Sequence, residues 1–315
     1  MNPGKPSAEV LAALDRHWRV RYLLLAPHRL GFFLAMVVLV ASGVWWALVQ
    51  LDRVSVAVVL PYVLSPTLVH AAVMTFGFVP LFFSGFLFTA GPKWLRVEPL
   101  EVRVLLIPLV MQAVGWLLWL IGVHTHMLTA LGGLALAWSG LARITWLFWR
   151  LVWRSREPDQ LHARTVGVAF LVGCASLGGL LANLVVGATA VAQACVLTGL
   201  WGFVVVVFVT VAHRMIPFFT SGAMPFINTW RPFWALGLMV LAAAVEVAAV
   251  WVEIDGPLHG SMAPVWMLAR GAFELGSGCI LLWLASVWGL LQSLKNRLLA
   301  MLHIGFLWLG LAFVL

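Results

Sequence analysis

Three ionisable side chains, Glu246, Arg270 and Glu274, lie inside long apolar stretches of this 315-residue chain. A charge in such a stretch costs roughly 2.5–3.5 kcal/mol on insertion scales, so each is a functional candidate by default. Arg270 and Glu274 are four residues apart, which puts them on one helix face. Counting ~1.5 Å per residue from the ends of their stretches places Glu246 and Arg270 both about 10 Å below the same membrane surface. Three chemistries would use this set: an ion pair joining two helices, a proton path, or an arginine that meets the carboxylate of a cofactor.

Nine histidines are the second resource. Imidazole is the side chain most used for metals and haem where cysteines are not paired. Depth sorts them. His70, His124, His126 and His259 fall toward one membrane face, and His28, His213 and His303 toward the other, with His303 about 8 Å inside. His17 and His162 sit in basic segments and read as solvated. The run His124-Thr125-His126-Met127 offers two imidazoles and a thioether, a ligand set that suits copper. His70, in a Gly- and Phe-rich run, reads equally as a ligand or as a hydrogen-bonded packing residue. His303, beside Gly305, Phe306 and Trp308, is open in the same way.

What must position these groups is a membrane-embedded scaffold. Hydrophobic residues make up 63% of the chain, charged residues 10%, and the mean hydropathy is +1.04. No soluble domain covers that much apolar surface with so few charges. Nine stretches approach the roughly 20 residues a span needs: 30–51, 67–90, 102–122, 127–149, 163–187, 189–212, 232–252, 262–291 and 298–315. The expected fold is all-α, a polytopic transmembrane bundle, with a basic N-terminal segment (1–29) ahead of a single helical domain (30–315). Basic residues concentrate in the N-terminal segment and the even-numbered loops, while the odd loops hold only Arg53. By the positive-inside rule the N-terminus is cytoplasmic. The net charge of +8 is then a topology signal and an attraction to anionic lipid, not a nucleic-acid footprint. Residues Val10, Leu11, Leu14 and Trp18 suggest an amphipathic helix at the head groups. Cys174, Cys195 and Cys279 read as small buried hydrophobes. Two small-residue stripes, Gly173/Ser176/Gly179 and Gly132/Leu136/Gly140, should allow close helix approach. Gly77 and Gly85 leave room for a flat macrocycle or a neighbour, six phenylalanines from Phe76 to Phe88 could wall an apolar pocket, and Pro217 should end or kink its span below His213 and Arg214.

Four segments, in order from the first span to the last, resemble the NnrS family: Arg29-Leu-Gly-Phe-Phe-Leu34, HAAVMTFGFVPLFFSGFLFTAGPKW from His70 to Trp94, Arg214-Met-Ile-Pro-Phe-Phe-Thr220, and Leu302-His303-Ile-Gly-Phe-Leu-Trp308. Two departures stand out. Many members read His-x-His-Glu-Met where this chain has His70-Ala-Ala-Val-Met74, so a site needing two imidazoles there would draw on His124 or His126. The family also continues through further spans to a late Leu-Gly-His-Thr-Gly-Arg motif, which has no counterpart up to Leu315.

The resemblance implies a multi-pass protein of the bacterial inner membrane that carries haem and, with less support, copper, and acts in nitric oxide or nitrosative-stress physiology. Nitric oxide or another small diatomic would be its ligand. Residue counting separates His70 from His303 by roughly 15 Å in depth. His213 and His303 are therefore the expected haem pair, with Arg214 and Arg270 available to the propionates, and His70, His124 and His126 form the expected copper site. Two other classes compete: a secondary transporter coupled through Glu246, Arg270 and Glu274, and an assembly factor for a respiratory complex.

Overall fold

The computed structural model describes residues 20–55, 59–223, 230–256, 258–260 and 262–315. The expected amphipathic helix around Val10–Trp18, and His17, lie outside them. After a 3-10 turn, Val20–Leu25, the helices are α1 (Pro27–Val54), α2 (Pro66–Leu95), α3 (Val102–Thr125), α4 (Met127–Arg154), α5 (Leu161–Val186), α6 (Thr189–Ala223), α7 (Phe233–Val252), α8 (Met262–Val287) and, beyond a single turn at Leu290–Ser293, α9 (Arg297–Val314). Helices α1 to α8 are long and apolar enough to cross a membrane, and the ninth expected span is the shorter apolar helix Leu299–Val314. The protein is a multi-pass, all-helical membrane protein.

Local signals place the ends. Pro27 and Pro66 occupy the first turns of α1 and α2, where the missing N–H has no intrahelical partner to lose. Gly187 closes α5 in the left-handed conformation, φ 76°. Between α3 and α4 stands only His126, whose Nδ1 accepts from the Leu128 N–H and caps α4.

The chain divides into two compact units, residues 1–63 with 77–155 and residues 64–76 with 156–315. In the first, backbones touch at glycines. A Cβ at Gly31 of α1 would stand 2.6 Å from the Gly85 Cα of α2, and one at Gly115 of α3 would stand 2.5 Å from the Gly133 carbonyl of α4. So the space at Gly85 is filled by α1 rather than left for a macrocycle. Of the expected α4 stripe, Gly140 meets α3, while Gly132 has nothing within 4 Å and its neighbour Gly133 makes the contact instead. Nor do the phenylalanines form one wall. Phe82 stacks on Phe32 at 4.4 Å, Phe88 meets Phe148, and Phe76 packs on Gly199 within the second unit.

In the second unit Gly173 and Gly179 of α5 receive Phe203 and Cys195 of α6, as the stripe predicts. Cys279, in contrast, is exposed, where a buried thiol was expected. Two helices carry a π-turn, at Met74–Phe78 in α2 and at Leu200–Val205 in α6. Such turns hold one residue more than the α-helical ladder and recur at functional sites. Helix α6 does not stop at Pro217. It continues to Ala223, so the proline removes one ladder donor without ending the helix.

Candidate functional site

Two histidines of the second unit meet at the start of α5. His162 lies in the first turn of that helix and is 2% exposed; His213, on α6, is fully buried. Their rings stack at 5.3 Å, with His162 Nε2 3.0 Å from His213 Nδ1. His213 Nε2 lies 3.0 Å from the Pro232 carbonyl oxygen. That oxygen only accepts, which fixes the protons for two neutral rings. His213 carries its hydrogen on Nε2, so its Nδ1 is an acceptor, so His162 donates from Nε2. His162 Nδ1 is then a bare lone pair, buried and without a hydrogen-bond partner. Arg214 and Arg231 stand close enough to act electrostatically on His162.

His303 is held differently. Its Nδ1 is 3.0 Å from the Leu299 carbonyl and its Nε2 3.1 Å from the Trp288 carbonyl, with Ser293 Oγ at 3.4 Å. The pair expected to share an iron, His213 and His303, both contact Trp288, whose ring meets His213 at 6.0 Å. Each nitrogen of both rings faces a polar neighbour: those of His213 face His162 and the Pro232 carbonyl, and those of His303 face two carbonyls, of which the neutral ring can donate to one, with the Ser293 hydroxyl beside Nε2.

Of the expected copper residues, His124 has both ring nitrogens engaged. His124 accepts from Trp45 Nε1 at 2.7 Å and its Nδ1 donates to the Pro61 carbonyl at 2.8 Å. His126 uses Nδ1 for the α4 cap, and the two rings serve different elements despite their spacing. His70 is half-buried in the second unit, early in α2. Among the described residues no group of three His, Cys, Asp or Glu side chains is arranged to hold a metal ion.

The intramembrane charges do come together, between α7 and α8. Arg270 Nη2 donates to Glu246 at 2.7 Å, its Nε to Glu274 at 2.6 Å, and its Nη1 to both oxygens of Glu253 at 3.1 Å. Trp266 Nε1 donates to Glu253 at 2.8 Å. With its donors on three carboxylates, Arg270 is engaged within this network.

Sequence reasoning missed two members of these clusters. Glu253 lies seven residues after Glu246, two turns along the same face, a spacing that could have found it. His162 reads from sequence as solvated because it lies in the basic segment between Arg150 and Arg164. No periodicity marks the first residue pair of a helix as buried.

One further feature of this unit is an apolar groove of about 510 Å³ bounded by Val168, Val172, Gly202, Val206 and Val247, with Arg164 at its edge. Its volume is within the range of small-molecule sites. A family model described as NnrS protein matches residues 22–315. No curated protein and no solved structure matches the chain.

Proposed function

The chain belongs to the NnrS family, and on that premise we propose that it is an inner-membrane metalloprotein of the bacterial nitric oxide response, with a cytoplasmic N-terminus and a haem or copper ligated at His162. The observation that carries this reading is the buried, partnerless Nδ1 of His162. A ligating imidazole characteristically donates its other N–H to a fixed acceptor, which sets the tautomer and aims the free nitrogen. His213 and the Pro232 carbonyl do this for His162. The residues therefore fit one imidazole ligand, aimed and desolvated. Arg214 and Arg231 supply positive charge to anionic groups beside it, and the apolar groove near Arg164 suits a flat, largely apolar occupant with a carboxylate at its rim. The bound group would supply an open coordination position for a small diatomic ligand. The chain's own residues orient the ligand nitrogen, exclude water from it and place the charges of Arg214 and Arg231, offset by Asp159, within reach of the ring.

Optical spectra and metal content of the detergent-purified protein test the reading. His162→Ala should abolish the Soret band or deplete the copper. His213→Ala should weaken binding 10–100-fold, the usual effect of losing an orienting partner. His303→Ala should keep the bound group and lose stability. Full metal and haem retention in His162→Ala would overturn the assignment.

A further inference from the structure

The Arg270 cluster carries more negative charge than one guanidinium can balance. Glu246, Glu253 and Glu274 bring three carboxylates to a single cation. Glu246 is the deepest, 4% exposed, and only its Oε2 is engaged; Oε1 is buried and makes no hydrogen bond. Glu274 is held on the same guanidinium, at 2.6 Å from Arg270 Nε against 2.7 Å from Nη2 to Glu246, which sets the two carboxylates side by side. Two ionised carboxylates so placed present acceptor to acceptor, and neither can satisfy the other. A single proton between them turns the repulsion into a charge-assisted hydrogen bond.

We infer that Glu246 and Glu274 form a proton-binding site inside the membrane, connected through Arg270 to Glu253 at the end of α7. The step is one proton transfer. A hydronium ion arriving at the Glu253 end gives its proton to Glu246 Oε1 and leaves as water, and the formal charge of the cluster changes from −2 to −1. Glu246 lies six residues, ~9 Å, from the last residue of α7, and Arg270 bridges that depth with donors to all three carboxylates.

The other groups facing the pair leave a proton as the occupant. From α8 come Arg270 and Glu274, and from the end of α7 Glu253, itself held by Trp266. The part of helix α6 at this end, Thr189–Gly199, carries no acidic or basic residue; its Thr198 accepts from Trp251 Nε1, and its Cys195 thiol faces Gly179 of α5. The other ionisable residues of α6, His213 and Arg214, belong to the opposite end. The cluster also fails as a three-ligand metal group among the described residues.

Infrared difference spectroscopy of the full chain reconstituted in lipid reads the proton directly. Near neutral pH the wild type should show the carbonyl stretch of a buried protonated carboxylic acid, shifting on deuterium exchange and vanishing at high pH. Glu246→Gln and Glu274→Gln should each remove it, and Glu253→Gln should keep it. Both key variants are near-isosteric; should one fail to accumulate, the other and the wild-type pH titration still decide. A wild-type spectrum without the band, a band unchanged in both Glu246→Gln and Glu274→Gln, or a band displaced by sodium at constant pH would each overturn the proposal. Metal loading at His162 affects none of these readings.

Discussion

Replacing Arg270 by Gln isolates what the buried charges contribute to stability. The three carboxylates will not lose equally. The Glu253 side chain is 35% exposed, and a surface pair of that kind contributes about 0–1 kcal/mol. Glu274 is an i,i+4 partner at 27% exposure, for which about 0.3–0.5 kcal/mol is typical. Glu246, at 5% side-chain exposure, has no solvent to turn to. Removing one partner of a buried pair costs about 3–5 kcal/mol because the other charge is stranded. Arg270 is itself 27% exposed, which places the expected loss near the low end, about 3 kcal/mol. Glu246→Gln alone should be close to neutral, since its amide oxygen still accepts from Arg270 and its amide nitrogen can donate to Glu274. The double variant Arg270→Gln/Glu246→Gln should therefore recover most of what the single Arg270 change loses. Thermal unfolding in detergent, followed by fluorescence of the 18 tryptophans, measures all three variants in one cycle. An Arg270→Gln loss below ~1 kcal/mol, or a double variant as unstable as the single one, would refute the reasoning.

Two other expectations follow from the first unit. Gly31→Ala should destabilise by about 1–3 kcal/mol, the usual cost of overpacking, because its Cβ would press on the Gly85 backbone at 2.6 Å; Gly43→Ala on the same helix has nothing within 4 Å and should be neutral or slightly stabilising in the same thermal assay. Tyr62 donates to Asp52 at 2.8 Å, and burial followed by that hydrogen bond and the carboxylate charge pushes its pKa from 10.0 up to about 12. A raised pKa means that its contribution to stability is complete below pH 10 and is lost as the pH rises through about 12. An ultraviolet titration should show this late ionisation in the wild type and not in Tyr62→Phe, and a Tyr62 that titrates near 10.0 would contradict the geometry.

The scaffold was largely legible because a bilayer permits few solutions. Apolar length alone located the spans, and the four-residue spacing of Arg270 and Glu274 announced their contact. The sites were less legible, for two physical reasons. Depth counting places a histidine along the membrane normal but says nothing about azimuth. His213 and His303 both touch Trp288, yet their nitrogens face His162 and backbone carbonyls. His124 and His126 are likewise two residues apart, but the first ends α3 and bonds to Trp45 of α1 while the second caps α4. The second reason is that polarity in the sequence does not report burial at a helix end. His162 begins α5 amid polar residues, and only packing against His213 and Phe233 shows that it is enclosed. The Gly133 stripe failed by a single residue for a related reason: Gly132 and Gly133 are adjacent, and pattern alone does not say which of the two faces α3.

The π-turn at Leu200–Val205 makes the His162–His213 contact a matter of arithmetic. A helix with one surplus residue can lose that residue and become an ordinary helix, with better ladder geometry and the same hydropathy. Because the wide turn absorbs the surplus locally, that loss would leave the helix after it close to its present phase. A residue lost from the regular α-helix that follows, between Val206 and His213, has no such slack: everything after it would rotate by about 100° and retreat ~1.5 Å along the axis. His213 would swing away from His162, and the Pro232 carbonyl would lose its donor. The span would still insert and still look intact by composition, so deletions should be tolerated in the turn and not in the stretch between it and His213.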